Sequence, residues 1–268
     1  MTQPFWEFPL TLPRHAFSVR DAARAGDVWR CFQEAAVEAS TRAGWSPLRY
    51  RAVGTAFVVR SLVAVHHREA IYGERTRART WVSRFRRDIF STRQVRLLSE
   101  DGPVSSATQE WAHVSAGLKP TRASAELLAA FPLHEEDPST ELPAWLPLPG
   151  ARTLFHFEPW FTSMDPLDHA NHPAYLDWCD EAISRVMAEA GLGPATLRPV
   201  AEKLTFRAGA TALERITVES ERVGRTERGD LVLSHRVLKE DGTVCAEGTT
   251  VRTLAAGDPD RLVSLWNT

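Results

Sequence analysis

Apolar residues recur along the chain at two different periods. Ala174, Trp178, Ala182, Val186 and Ala190 follow one another at i, i+4, and Ile183 and Met187 broaden them into one stripe, so the spacing predicts a helix from Pro173 to Ala190. Pro173 suits a first turn, and Gly191 followed by Pro194 marks the stop. A second helix is expected earlier, from Val28 to Ala43, ending at Gly44. Downstream of each helix the pattern turns to short apolar and alternating runs, which predict strands: Phe57 to Val65, Thr76 to Val82 and Ile89 to Leu98, then Thr205 to Arg207, Arg215 to Val223 and Leu231 to Val237.

The two series are one pattern repeated. Glu100-Asp101-Gly102 and Glu240-Asp241-Gly242 each sit between strand-like runs at an offset of 240 − 100 = 140 residues, and Glu74-Arg75 matches Glu214-Arg215 at the same offset. Asp-Gly is a strong hairpin signal, because glycine takes the positive φ of the tight turn. The helix stops, Gly44 and Gly191, are 191 − 44 = 147 apart, so about seven residues are inserted between helix and hairpin in the first copy. Between the copies, Leu118 to Gly150 holds six prolines and the acidic pair Glu135-Glu136, a composition that predicts a linker with at most a short helix from Ala123 to Ala130. The expected organisation is a first unit over 1–117, a Pro-rich linker over 118–150 and a second unit over 151–268.

Composition narrows the class. Hydrophobic residues at 43% and charged residues at 25% fit a globular protein and disfavour disorder. The formal net charge of −2 offers no basic surplus for nucleic acid or an anionic membrane. Three scattered cysteines, Cys31, Cys179 and Cys245, form neither a disulfide framework nor a metal-binding spacing and fit a reducing cytoplasm. The start of the chain lacks the basic, then apolar, pattern of a signal peptide, and no run approaches the ~20 residues of a membrane span.

Phosphate-binding glycine loops, the GxSxG elbow and HExxH are all missing. What remains is 161–175, which packs Asp165, Asp168, His169, Asn171 and His172 into the approach to the second helix. A helix N-terminus presents unpaired N–H groups and a positive dipole end, so it suits a developing oxyanion. Asp168 and His172 also fit plain helix-capping roles. His169 and His172 have metal-ligand spacing but no third ligand nearby in sequence.

Asp165-x-x-x-His169-x-Asn171-x-x-x-Tyr175 ahead of a long helix resembles the active-site stretch of hotdog-fold thioesterases. Two such units joined by a Pro-rich linker resemble the acyl-ACP thioesterase family in particular. In the first half Phe57-Val58-Val59-Arg60, Tyr72-Gly73-Glu74 and Thr80-Trp81-Val82 are similar to that family's N-terminal unit, so the resemblance runs from about residue 10 to 255. It implies an α+β tandem hotdog, each unit a curved antiparallel sheet wrapped around one long helix. The first unit would shape the acyl pocket and the second would carry Asp165, His169 and Asn171 as catalytic residues. The implied activity is hydrolysis of acyl-ACP or acyl-CoA thioesters, in fatty acid or lipid metabolism, without a cofactor or metal. A hotdog hydratase or dehydratase acting on 3-hydroxyacyl thioesters and a non-catalytic acyl-binding partner stay open beside it.

Two departures from the plant members stand out. Leu167 holds a place where they carry asparagine, and Phe206-Arg207-Ala208-Gly209-Ala210 replaces their Tyr-Arg-Arg-Glu-Cys. The acidic residue and thiol of that stretch are therefore absent. The matching place in the first half contains Glu69, which is either a substitute or a surface residue. Glu69, Tyr175 and Gln33 complete the candidate set as substrate-binding residues; Gln33 and Glu34 equally fit a solvated helix face. Trp29, Trp45, Trp81 and Trp111 fit an acyl tunnel or plain core, Cys179 fits packing, and Glu181 fits an exposed helix face. The implied partners are an acyl carrier protein or CoA thioester, with a second copy of the chain as a candidate.

Overall fold

A computed structural model describes residues 5–134 and 140–267. Glu135, Glu136 and Pro138 of the expected linker lie outside the described residues. The chain divides into two compact units, Met1–Ala16 with Asp27–Glu141, and Phe17–Gly26 with Leu142–Thr268.

Unit 1 contains strand β1 (Trp6–Pro9), helices α1 (Ala25–Arg42) and α2 (Pro47–Ala52), strands β2 (Thr55–His66), β3 (Thr76–Arg86), β4 (Phe90–Ser99) and β5 (Gly102–Ser115), and helix α3 (Ala125–Ala129). Its antiparallel sheet runs in the order β1-β3-β4-β5-β2. The Asp-Gly turn joins β4 to β5 as the sequence predicts, with Gly102 at φ +108°. The β3–β4 turn uses Arg87 and Asp88, both near φ +56°, the backbone of a tight two-residue turn.

The Pro-rich stretch does more than link. Ser124 caps α3 by accepting the Leu127 N–H at 3.1 Å, and Leu127 and Phe131, four residues apart, bury against Trp45 and Val82. Pro120 and Leu133 form isolated bridges to Val114 and Val82. Proline content says where the chain turns, but the i, i+4 pair says where it packs.

Unit 2 contains β6 (Trp145–Pro147), β7 (Arg152–Phe157), α4 (His172–Glu189), β8 (Leu197–Phe206), β9 (Ile216–Thr226), β10 (Leu231–Lys239), β11 (Val244–Leu254) and α5 (Pro259–Ser264). Its antiparallel sheet runs β8-β11-β10-β9-β6, with β7 also paired to β9. α4 lies against β7, β8 and β9. Ile183 and Met187 from its stripe close over Leu231, Leu233 and Trp266, each such burial being worth about 1.5–3 kcal/mol.

The repeat shows in the positions of the elements. α1 and α4 begin 172 − 25 = 147 apart, whereas β3 and β9 begin 216 − 76 = 140 apart. The seven-residue difference falls where unit 1 carries α2 and unit 2 only a 3-10 turn at Pro194–Thr196. Even the edge pairing is preserved: Trp6 and Phe8 pair with Thr80 and Ala78, as Thr153 and Phe155 pair with Ser220 and Val218.

A buried ion cluster fixes α4 on its sheet. Arg252 of β11 is held between Asp180 of α4 (2.8 Å) and Glu202 of β8 (2.5 Å). Both carboxylates keep its guanidinium above its ordinary pKa despite burial. Nearby on the same strands, His235 is enclosed by Ser220 and Thr250 hydroxyls, each at 2.8 Å, and burial pulls its pKa down to about 3.

Candidate active site

The approach to α4 is a closed loop. Met164 bridges Ala170, the Asp165 N–H donates to the His169 carbonyl at 2.9 Å, and the Asp168 N–H donates to the Asp165 carbonyl at 3.0 Å, with Asp168 itself at φ +60°. These bonds hold Asp165 and His169 side by side. His169 Nδ1 lies 3.6 Å from Asp165 Oδ1, just beyond hydrogen-bond length, and is buried with no partner of its own. Asp165 Oδ1 in turn accepts the Leu167 N–H at 2.8 Å, which fixes the carboxylate's orientation.

Asn171 is the N-cap position of α4, yet its side chain makes no capping hydrogen bond; its backbone N–H donates to Ser163 O at 2.9 Å. Asp165, His169 and Asn171 therefore share one loop at the positive end of one helix. His172 opens the helix, buried against the Phe206 ring.

Behind the loop stands 208–210. Tyr175 is buried, and its hydroxyl accepts the Ala210 N–H at 2.8 Å and donates to Ala208 O at 3.4 Å. The Ala170 N–H donates to Ala210 O at 2.8 Å, so residues 208–210 are tied to the loop by one hydrogen bond and to α4 by the two at Tyr175. At Gly209 a Cβ would come within 2.9 Å of the His169 Cβ. Gly209, one of the residues that depart from the plant pattern, is thus the floor on which His169 rests. The hydroxyl of Tyr175, expected to touch substrate, is engaged by the backbone at Ala208 and Ala210, and burial pushes its pKa well up.

Unit 2 also contains the same loop in a second version. Phe17 bridges Ala23, the Ser18 N–H donates to Ala22 O at 2.9 Å, the Asp21 N–H donates to Ser18 O at 3.0 Å, and Asp21 has φ +57°. At the 147 offset Ser18 stands for Asp165, Ala22 for His169 and Arg24 for Asn171. The backbone is reproduced and the chemistry is not.

The other candidates fall elsewhere. Gln33 is half-buried on α1, and Glu69 is half-buried on the β2–β3 connection, where its carbonyl accepts from Arg68. Cys179 is buried within α4, where burial raises its thiol pKa, and Glu181 faces outward to Arg185. Trp29, Trp45 and Trp81 are buried, and the Trp111 indole donates to Gln109. Among the described residues no three His, Cys, Asp or Glu side chains group as metal ligands, and no helix is long and apolar enough to cross a membrane.

No family model and no curated protein matches the sequence. Solved structures do match along nearly the whole chain. One described as an oleoyl thioesterase from Lactobacillus plantarum aligns with a TM-score of 0.79 at 15% identity, over 94% of this chain and 97% of its own. The chain has the fold of an acyl thioesterase. An acyl-ACP thioesterase from Bacteroides thetaiotaomicron aligns at 0.74 and 12% identity, over 93% and 98% of the two chains. The 12:0-ACP thioesterase from Umbellularia californica aligns at 0.74 and 13%, over 95% of each.

Proposed function

We propose that the protein is a tandem-hotdog thioesterase that hydrolyses acyl-ACP or acyl-CoA thioesters at the loop before α4. The observation that carries this reading is the contrast between two loops of one backbone design. One bears Asp165, His169 and Asn171; the other bears Ser18, Ala22 and Arg24. Shared geometry is what the fold requires, so the added carboxylate, imidazole and amide are what the chemistry requires.

In this reading Asp165 takes a proton from water as the water oxygen attacks the thioester carbonyl. The carbonyl oxygen gains negative charge at the N-terminus of α4, where the helix dipole and the Asn171 amide favour it. His169, moving the few tenths of an ångström that separate it from a hydrogen bond, steadies Asp165 and orients the water. The thiolate leaves as the carbonyl reforms and is protonated from Asp165, so nothing is consumed but water. No cofactor is required, because thioester hydrolysis is downhill. The neighbouring folds named for acyl-ACP and oleoyl substrates support an acyl thioester as substrate. A cytoplasmic site of action accords with three unpaired, buried cysteines.

Thiol release from a panel of acyl-CoA and acyl-ACP thioesters of increasing length, with 3-hydroxyacyl and 2-enoyl thioesters alongside, tests this. Free thiol with matching free acid is expected. Interconversion of the 3-hydroxyacyl and enoyl thioesters without thiol release would assign the loop to hydration chemistry instead.

A further inference from the structure

Strands β4 and β5 of unit 1 bring together a guanidinium held by one long hydrogen bond and an amide nitrogen held by none. Arg93 stands directly opposite Gln109 in the ladder, and residues directly opposite project from the same face of a sheet. Arg93 is only 6% exposed and Gln109 is fully buried at 0%. The guanidinium makes one long hydrogen bond, from Nη1 to Thr80 Oγ1 at 3.3 Å. No carboxylate among the described residues pairs with it, and burial accordingly pulls its pKa down to about 10. Arg252, equally buried, shows the contrast: two carboxylates hold it and its pKa rises.

Gln109 has a fixed orientation. Its Oε1 accepts the Trp111 indole N–H at 3.2 Å, and an indole nitrogen only donates, so the amide oxygen must face it. The amide nitrogen points the other way, where it is buried without a partner. Around the pair the walls are otherwise apolar, apart from the Thr80 hydroxyl and the Tyr50 phenol near Arg93. Phe131 has its ring centre 5.4 Å from the Arg93 guanidinium, and Val82, opposite Arg93 on β3, packs with Trp45, Leu127 and Phe131.

Burying a cation without a counter-charge and an amide N–H without an acceptor is unfavourable, and folds ordinarily pair such groups or replace them with apolar ones. We propose that Arg93 and Gln109 form the polar end of a ligand site inside unit 1, which receives a carboxylate or ketone oxygen carried by an otherwise apolar chain. A guanidinium takes such an oxygen by charge-assisted hydrogen bonds, and the Gln109 N–H supplies a further donor. The aromatic and aliphatic walls take the chain. The site stands without the thioesterase reading; under that reading, the bearer of the oxygen is an oxygenated acyl chain.

Calorimetric titration of the full chain with decanoate and with 1-decanol tests the site, since the two differ in the group offered to Arg93. Decanoate is expected to bind about tenfold more tightly than decanol, the difference made by a charge-assisted hydrogen bond. Arg93→Met is expected to abolish that preference while keeping or raising Tm, because it removes a buried unpaired charge; Asp165→Asn is expected to leave it intact. Equal binding of the two probes, or a decanoate preference that survives Arg93→Met or vanishes with Asp165→Asn, would overturn the proposal. Should Arg93→Met fail to fold, Gln109→Leu decides: weakening of decanoate by about threefold supports the site, and unchanged affinity refutes it. No thioester is used, so an active thioesterase can fail this test and a protein that hydrolyses nothing can pass it.

Discussion

Replacing Gly209 by alanine tests whether the floor beneath His169 sets its catalytic position. The added Cβ would sit 2.9 Å from the His169 Cβ, 3.1 Å from its Cγ and 3.3 Å from its Cδ2. Ordinary contact begins near 3.4 Å, so one side must yield by 3.4 − 2.9, about 0.5 Å. The atoms struck are the root of the imidazole, so the whole ring is displaced. Residues 208–210 cannot easily retreat, being tied to Ala170 and to the Tyr175 hydroxyl. A misplacement of about 1 Å can cost about 10²-fold in rate, so half that distance is expected to lower kcat by about tenfold. Gly209 is not in the left-handed region, so alanine gains about 0.4–1 kcal/mol from the unfolded chain. Overpacking costs about 1–3 kcal/mol, leaving a net loss near 1 kcal/mol, or a Tm lower by about 2–4 °C. Thiol-release kinetics on the best substrate and a thermal melt read the two effects separately. Parental kcat in a normally folded Gly209→Ala would refute the claim that His169 must stand where Gly209 lets it stand.

Three further outcomes follow from the same packing. Replacing Asp21 and Asp27 together by asparagine is expected to leave turnover unchanged in the thiol-release assay, because the loop that contains Asp21 carries Ser18 and Ala22 where the loop before α4 carries Asp165 and His169. Arg252→Met removes the cation that faces buried Glu202, so chemical denaturation is expected to show a loss of about 3–5 kcal/mol, partly recovered by adding Glu202→Gln. His235 has a folded pKa of about 3 against an ordinary 6.5; between those values the unfolded chain binds a proton that the folded chain refuses. Stability is therefore full above about pH 6.5 and falls as pH drops toward 3, by up to about 1.4 kcal/mol per pH unit, a slope that His235→Gln should flatten in denaturation series.

The helices and hairpins were legible because their signals are local. The i, i+4 stripe from Ala174 to Ala190 and the two Asp-Gly turns need no knowledge of what packs against them. β8 was visible only at its end, since Glu202 interrupts the apolar alternation as a buried partner for Arg252, a reason that appears only in three dimensions. β6 is a three-residue edge strand inside the Pro-rich stretch and carries no pattern of its own. Asp165, His169 and Asn171 stood out as a cluster of reactive types, whereas their empty counterpart at Ser18, Ala22 and Arg24 did not, because the likeness lies in backbone hydrogen bonds and a positive φ. Arg93 carries no signal in the sequence; its burial opposite Gln109 appears only in the folded sheet.

Asp165→Asn, assayed by thiol release on the best acyl thioester and checked by its melting temperature, decides whether the loop before α4 cleaves the thioester. The substitution keeps the side chain's shape and its oxygen toward the Leu167 N–H but removes the base. A loss of about 10²–10⁴-fold in kcat is expected, with an essentially parental Tm. Parental turnover by a folded Asp165→Asn would show that the loop before α4 is not where the thioester is cleaved.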